Sequence, residues 1–347
     1  MKRFSGGSKD FLKLGSDLKS AEAQFALELI QFGSELACRI RTESSVKTIF
    51  KEDRSPVTLA DMGIQAIASA LLEQYFPEAV LVAEEDADYL KTPEGAEDLE
   101  TITGYVHSFF PHARPGRVCQ WINKGKGNPA GSFWTLDPID GTKGFLRGGQ
   151  YAIALAFIRE GRVELAAMGC PELELQEHKT LGKGVGIFAA RGEGCRAFSL
   201  DYIEDPKRWV RLEVSKCHDI SLARMLDSFD PQHKNTEHSQ RIREMLGIQA
   251  APIMMDSLAK TVVIASGGAE IFFRTLSRKK PGYREKIWDV AAGALAIEEA
   301  GGHVTDLEGR VLDFGAGLTL ENNPGLVATN GFLHEAILEV LRQVTRA

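Results

Sequence analysis

Phe133-Trp134-Thr135-Leu136-Asp137-Pro138-Ile139-Asp140-Gly141-Thr142 runs a short apolar stretch straight into a turn sequence that carries two carboxylates. Aromatic and β-branched residues suit a pleated, half-buried strand. Asp, Pro and Gly suit the turn that should end it. Three further segments place acids at the ends of expected elements. Asp61 lies at a helix start, Glu84-Glu85 follow a strand, and Asp289 opens a helix over 288–300. Taken singly, each has an ordinary reading: Asp61 and Asp289 as helix-start residues favoured by the dipole, and the Asp-Pro-Ile-Asp-Gly run as a turn.

Upstream of that stretch, residues 16–42 place Phe25, Leu27, Leu29 and Ile30 at helical spacing, with Ser16 or Ser20 as cap. Residues 55–58 read as extended. A second helix opens at Ala60-Asp61 and runs through Ile64, Ile67, Leu71 and Leu72. It stops near Phe76-Pro77, because a residue before proline avoids helical dihedrals. Residues 80–83 form a buried strand. Residues 86–131 are polar, with Gly and Pro in their second half, and read as a mobile surface insertion around one helix.

Downstream, strands over 151–158, 163–170 and 185–190 have hairpin-length links at Glu160-Gly161 and Gly192-Glu193-Gly194, which points to a mostly antiparallel sheet. From about residue 206 strands and helices alternate. Strands fall at 211–214, 270–273 and 325–329, and helices at 238–246, 256–266, 288–300 and 333–344. The expected organisation is an α+β domain over 1–205 joined to an α/β domain over 206–347. A chain of 347 residues exceeds the size at which one core usually stops growing.

A net charge of −7 argues against a general nucleic-acid binder, which needs a basic surface. It leaves room for a small anionic substrate held by a local cluster of cations. The five cysteines are scattered and form no CxxC pair, so they read as reduced thiols. No window reaches about 18 uncharged apolar residues and the N-terminus lacks a signal-peptide core. A cytoplasmic protein without a membrane partner is the expectation.

Jointly the acids say more than they do singly. Two carboxylates about 4 Å apart repel by about 4 kcal/mol at an effective dielectric near 20. Five in one site would need cations or would protonate. Hard oxygen ligands without His or Cys pairs favour Mg²⁺ or Mn²⁺ over zinc. Such cations suit phosphoryl transfer. Composition alone does not make the five converge.

The run 133–142 and the later run Ile287-Trp288-Asp289 through Gly302 resemble the two signatures of the lithium-sensitive inositol-monophosphatase superfamily, and the spacing from Asp61 to Glu84 is similar to that superfamily's. Lys143-Gly144-Phe145-Leu146-Arg147-Gly148 resembles its 3′(2′),5′-bisphosphate nucleotidase branch. So do Met168–Pro171, Glu285–Asp289 and Leu312–Gly315. The likeness covers nearly the whole chain and is weakest at 90–130 and 200–250.

The resemblance implies a layered αβαβα sandwich of the inositol-monophosphatase/sugar-phosphatase type, two or three Mg²⁺ ions with Mn²⁺ as substitute, and inhibition by lithium. It makes Glu84, Asp137, Asp140, Asp289 and the Ile139 carbonyl metal ligands, with Glu85 holding a further weak cation through water. It makes Asp61 the acceptor of a proton from Thr142, which polarises the attacking water. The Gly141 and Thr142 amides would receive phosphate oxygens. Ser257, Lys260, Arg274 and His238 match nucleotide-binding positions, and Ser257 and Lys260 are expected on one helical face. Without the resemblance, Lys260 reads as a solvated helix residue and Arg274 as a strand end. Arg278-Lys279-Lys280 reads as a solvated loop, and Trp134 and Trp288 as core.

The implied activity is magnesium-dependent removal of the 3′-phosphate of 3′-phosphoadenosine 5′-phosphate, giving AMP, with the sulfated analogue as a further substrate. The alternatives are an inositol or sugar monophosphate phosphatase and an inactive nucleotide sensor. The implied partner is a small nucleotide rather than a nucleic acid polymer.

Overall fold

The computed structural model describes residues 20–43, 48–50, 56–229, 236–275 and 282–346. Ser16 and the basic run 278–280 lie outside them. Helix α1 spans Ala21–Glu43, its start capped by Ser20 Oγ, which accepts from the Ala23 amide at 3.1 Å. Strands β1 (Thr48–Phe50) and β2 (Pro56–Thr58) pair and lead into α2 (Leu59–Tyr75). Then come β3 (Leu81–Ala83), α3 (Ala96–His107) and α4 (Pro115–Asn123). The segment 86–131 therefore holds two helices rather than one. Val106, Val118, Trp121 and Ile122 are buried with α2, because their 3–4 residue spacing gives each helix an apolar face.

Strand β4 (Ser132–Asp140) leads to the short helix α5 (Thr142–Leu146) and strands β5 (Ala152–Arg159), β6 (Arg162–Glu174), β7 (Lys183–Ala190), β8 (Gly194–Ser199) and β9 (Val210–Arg211). Strands β3 to β9 form one seven-stranded sheet in sequence order, parallel only between β3 and β4. The remainder comprises β10 (Leu226–Asp227), α6 (Thr236–Met245), β11 (Ile253–Met254), α7 (Ala259–Ala265), β12 (Ile271–Arg274), α8 (Ala291–Glu299), β13 (His303–Thr305), β14 (Leu326–Thr329) and α9 (His334–Arg346). A second antiparallel sheet has the order β12-β14-β13.

Three buried clusters give the layering. Residues of α1 and α2 cover one face of the large sheet; α7 and α8 fill the space between its other face and the small sheet; α6 and α9 cover the far side of the small sheet. This is the five-layer αβαβα sandwich. In the middle layer α8 opens on the small residues Ala291, Ala292, Gly293 and Ala294. A Cβ on Gly293 would lie 2.6 Å from Thr261 Oγ1 of α7, so the two helices touch at backbone distance.

The division at 205/206 we keep as a proposal. Strand β9 pairs with β8, and α8 packs on the large sheet, so the two halves share a core. Trp134 and Trp288 are both core residues as expected, Trp134 under α1 and α2 between Phe25 and Phe157 and Trp288 in the layer of α7 and α8. All five cysteines are free thiols, and no helix among the described residues is long and apolar enough to cross a membrane.

Candidate active site

Residues three apart on a regular strand face opposite sides, so Asp137 and Asp140 should not meet. A register shift lets them. Asp137 pairs with Ala154 and Asp140 with Ala152, three residues on β4 spanning two on β5. The extra residue at Pro138-Ile139 is a bulge, which returns Asp140 to the face of Asp137. That face looks toward the layer of α7 and α8, where Asp289 lies in a turn just ahead of α8. Carboxylate oxygens of Asp137, Asp140 and Asp289 all lie within 4.8 Å of one another. The helix itself begins at Ala291, so Asp289 precedes it rather than opening it.

Burial is the largest influence on these acids. It holds the Asp137 carboxyl well above the usual range, reinforced by the charges of Glu84, Asp140, Asp289 and Asp61. Asp289 is likewise pushed well up by burial and then Glu84, with Arg274 opposing. Asp140 is raised less, because Arg274, Lys260 and the Leu258 amide favour its charged form. Asp137 Oδ1 is buried with no hydrogen-bond partner among the described residues. An acceptor so placed costs free energy unless a cation or proton meets it. The set is all hard oxygen, so the residues present fit a magnesium-type cation.

Asp61 lies at the third position of α2 and closes a capping box. Thr58 donates to Asp61 Oδ2 through its amide at 2.8 Å and through Oγ1 at 2.5 Å. Sequence reading missed Thr58, although Thr58-Leu59-Ala60-Asp61 has the spacing of that motif. The Thr142 hydroxyl donates to the Ile139 carbonyl at 3.2 Å, at the head of α5. Gly141 caps α5 with φ +85°, where a Cβ would press on Ser257.

The second half closes over this floor. Ser257 is not on a helical face with Lys260: it precedes α7 and adopts φ +68°. A left-handed serine is strained, and here it turns the Leu258 amide onto Asp140 Oδ2. Ser257 Oγ accepts from the Ala259 amide at 3.1 Å. Lys260 is 3% exposed rather than solvated. Its Nζ donates to the Met255 carbonyl at 3.1 Å and lies over the Phe272 ring. Burial and the neighbouring Arg274 push it down to about 8, against Asp140 and Asp256. Arg274, at the end of β12, pairs with Glu285 at 2.5 Å. Burial disfavours its charge, but Glu285, Asp289 and Asp140 outweigh that and raise its pKa. Asp256 also pairs with Arg147 from the C-terminal end of α5. Sequence reading missed both partnerships: Glu285 is eleven residues beyond Arg274, and Asp256 is 109 residues beyond Arg147. The side chain of His238 lies outside the described residues.

An acid-lined floor beneath a buried lysine and a half-buried arginine, set in an αβαβα sandwich, is the frame of a cation-assisted phosphate-ester site. The chain belongs to the inositol monophosphatase family, whose model matches residues 19–346. That family is metal-dependent, and the acidic cluster is present here. The chain is 35% identical to a 3′(2′),5′-bisphosphate nucleotidase of Schizosaccharomyces pombe, over 94% of this chain and 96% of the relative. It is 38% identical to one of Oryza sativa, over 85% and 86%. An IMPase of Thermotoga maritima shares the fold with a TM-score of 0.64 at 18% identity, covering 94% of this chain and 99% of that one.

Proposed function

We propose that this protein is a magnesium-dependent 3′(2′),5′-bisphosphate nucleotidase that removes the 3′-phosphate of 3′-phosphoadenosine 5′-phosphate to give AMP and phosphate. The observation that carries this reading is the buried Lys260 and half-buried Arg274 facing the Asp137/Asp140/Asp289 cluster. Relatives of that name, aligned over nearly the whole chain, support it. A substrate with two phosphates suits a site with two positions of opposite character: one over the acids and one beside the cations.

Glu84, Asp137, Asp140, Asp289 and the Ile139 carbonyl would hold the cations. Two or three bound Mg²⁺ ions, or Mn²⁺ in their place, supply the Lewis acidity that phosphoryl transfer needs. In this reading the Thr142 hydroxyl, which here donates to the Ile139 carbonyl, turns to Asp61, gives it its proton and orients the attacking water in line with the ester. In this reading Thr58 holds Asp61 in place for that task. The Gly141 and Thr142 amides receive phosphate oxygens. Lys260, Arg274, Ser257 and His238 form the nucleotide side, with Lys260 and Arg274 taking the second phosphate. Free thiols suit a cytoplasmic location.

The test is phosphate release from 3′-phosphoadenosine 5′-phosphate, its sulfated analogue, AMP, inositol 1-phosphate and fructose 1,6-bisphosphate, with Mg²⁺ and with or without lithium. Preference for the bisphosphate nucleotide, lost in Asp140→Asn, supports the reading. Preference for inositol phosphate keeps the acidic site and overturns the role of Lys260 and Arg274. Nucleotide binding without turnover makes the protein a sensor.

A further inference from the structure

Gln65 lies four residues after Asp61, and residues so spaced share a face of a helix. It is fully buried on α2, and its amide makes three contacts. Oε1 accepts from the Glu85 amide at 2.9 Å, and Nε2 donates to the Glu85 carbonyl at 2.6 Å. The same nitrogen donates to the Ile122 carbonyl, also at 2.6 Å. Both Nε2 hydrogens are therefore used, and the side chain pairs with Glu85 as a neighbouring strand would. A Cβ on Gly125 would collide with this amide, so the chain leaving α4 has no side chain there. The Gly125 carbonyl accepts from the Ala83 amide at 2.8 Å, and Asn123 Oδ1 from the Ala87 amide at 3.0 Å. The segment 83–87 is thus pinned at three points, and the central one is Gln65.

We infer that Gln65 is a positioning residue for the cation site: it fixes the backbone that carries Glu84 in register with Asp61 on its own helix. A buried peptide group can be satisfied in many ways, but few of them tie one acidic segment rigidly to another. The acids here need that rigidity, because their mutual repulsion drives them apart until a cation binds. The inference rests on reading Glu84 as a metal ligand.

The test uses the full chain with Gln65→Glu, nearly isosteric but unable to donate to two carbonyls, and with Gly125→Ala, which displaces the Gln65 amide without altering it. Mn²⁺ binding to the metal-free protein is measured by calorimetry, and the Mg²⁺ dependence of phosphate release by titration. Loss of such outer contacts typically costs about 10–100-fold in metal affinity. The expected result is a rise of that order in half-saturating metal, with kcat at saturating Mg²⁺ changed far less. Leu338→Ala, in the distant third core, controls for lost stability and should leave metal affinity alone. Unchanged affinity in either folded variant, or a change matched by Leu338→Ala, overturns the inference. Glu84→Gln separates the two claims. If Glu84→Gln leaves Mn²⁺ affinity unchanged, the ligand reading of Glu84 fails and takes the inference with it. If Glu84→Gln weakens binding while the Gln65 and Gly125 variants do not, the inference alone fails.

Discussion

Thr58 Oγ1 and Asp61 Oδ2 lie 2.5 Å apart, and the Thr58 amide reaches the same oxygen at 2.8 Å. In the proposed mechanism, helix capping and catalysis thus draw on one carboxylate. The cap fixes the Asp61 rotamer, and it holds the acid where a proton can be received. Thr58→Val keeps the amide contact and removes the hydroxyl. It should cost about 1 kcal/mol of stability, the usual value of a cap, and lower kcat about tenfold or more, a loss of ~1.4 kcal/mol or more of transition-state stabilisation. Thr58→Ser should retain most of both. Urea unfolding and steady-state phosphate release measure the two effects separately.

Lys260 should give the enzyme an alkaline limb. Its ammonium is held down to about 8 by burial and by Arg274, so it loses charge just above neutral pH. A neutral amine no longer attracts phosphate, and KM should rise as pH passes through about 8 and beyond. Lys260→Arg should move that rise to higher pH, because guanidinium does not titrate there. A KM profile that is flat from pH 7 to 9.5 in the wild-type protein would remove Lys260 from substrate binding.

Asp289→Asn should separate stability from function. The folded protein raises this carboxyl, so its ionisation opposes folding: stability is fullest below the unfolded pKa and falls as pH rises through the folded one. In chelator at neutral pH, Asp289→Asn should therefore melt above wild type. With Mg²⁺ the order should reverse, since a ligand that binds only the native state stabilises it by mass action. Activity should fall at least about 100-fold, or ~2.7 kcal/mol. Equal melting temperatures in chelator would show that the carboxylates are not in conflict.

His334 sets an acid limit far from the active site. Its ring nitrogens meet the Thr305 and Thr329 hydroxyls, each at 2.9 Å, and burial with the nearby His303 lowers its pKa to about 4. Its ordinary value is 6.5, so the unfolded chain takes up the proton first. Stability should be complete above that value and decline as pH falls through 6.5 toward about 4. His334→Gln should weaken this decline, seen by comparing unfolding midpoints at pH 7.5 and 4.5.

How much of this could be read from the sequence differs from layer to layer. The strands of the large sheet alternate in β-rich runs with hairpin links, so 151–158, 163–170 and 185–190 all correspond to strands. The acids were legible because a turn sequence follows a strand. The bulge that makes Asp137 and Asp140 neighbours was not, since it appears only in pairing with β5. Lys260 looked solvated because a lone lysine on a short helix carries no sign of a covering sheet; its burial depends on β12 folding back over it. Ser257 departed from helical expectation for a related reason. The contact of Leu258 with Asp140, over a hundred residues earlier, selects a left-handed backbone that local preference disfavours.

The alanine-rich α8 lies between the two sheets, with Gly293 against Thr261. That helix works as a spacer. Asp289 sits at its mouth, Asp140 on the sheet below it and Arg274 on the sheet above it. The gap between the acidic floor and the cationic roof is therefore set by the size of the side chains along α8. A single methyl group added at Gly293 would press α8 away from Thr261 of α7 and shift the Asp289 turn against Asp140, without replacing any of these residues. The reach of the active site is thus determined by a helix that need never meet the ligand.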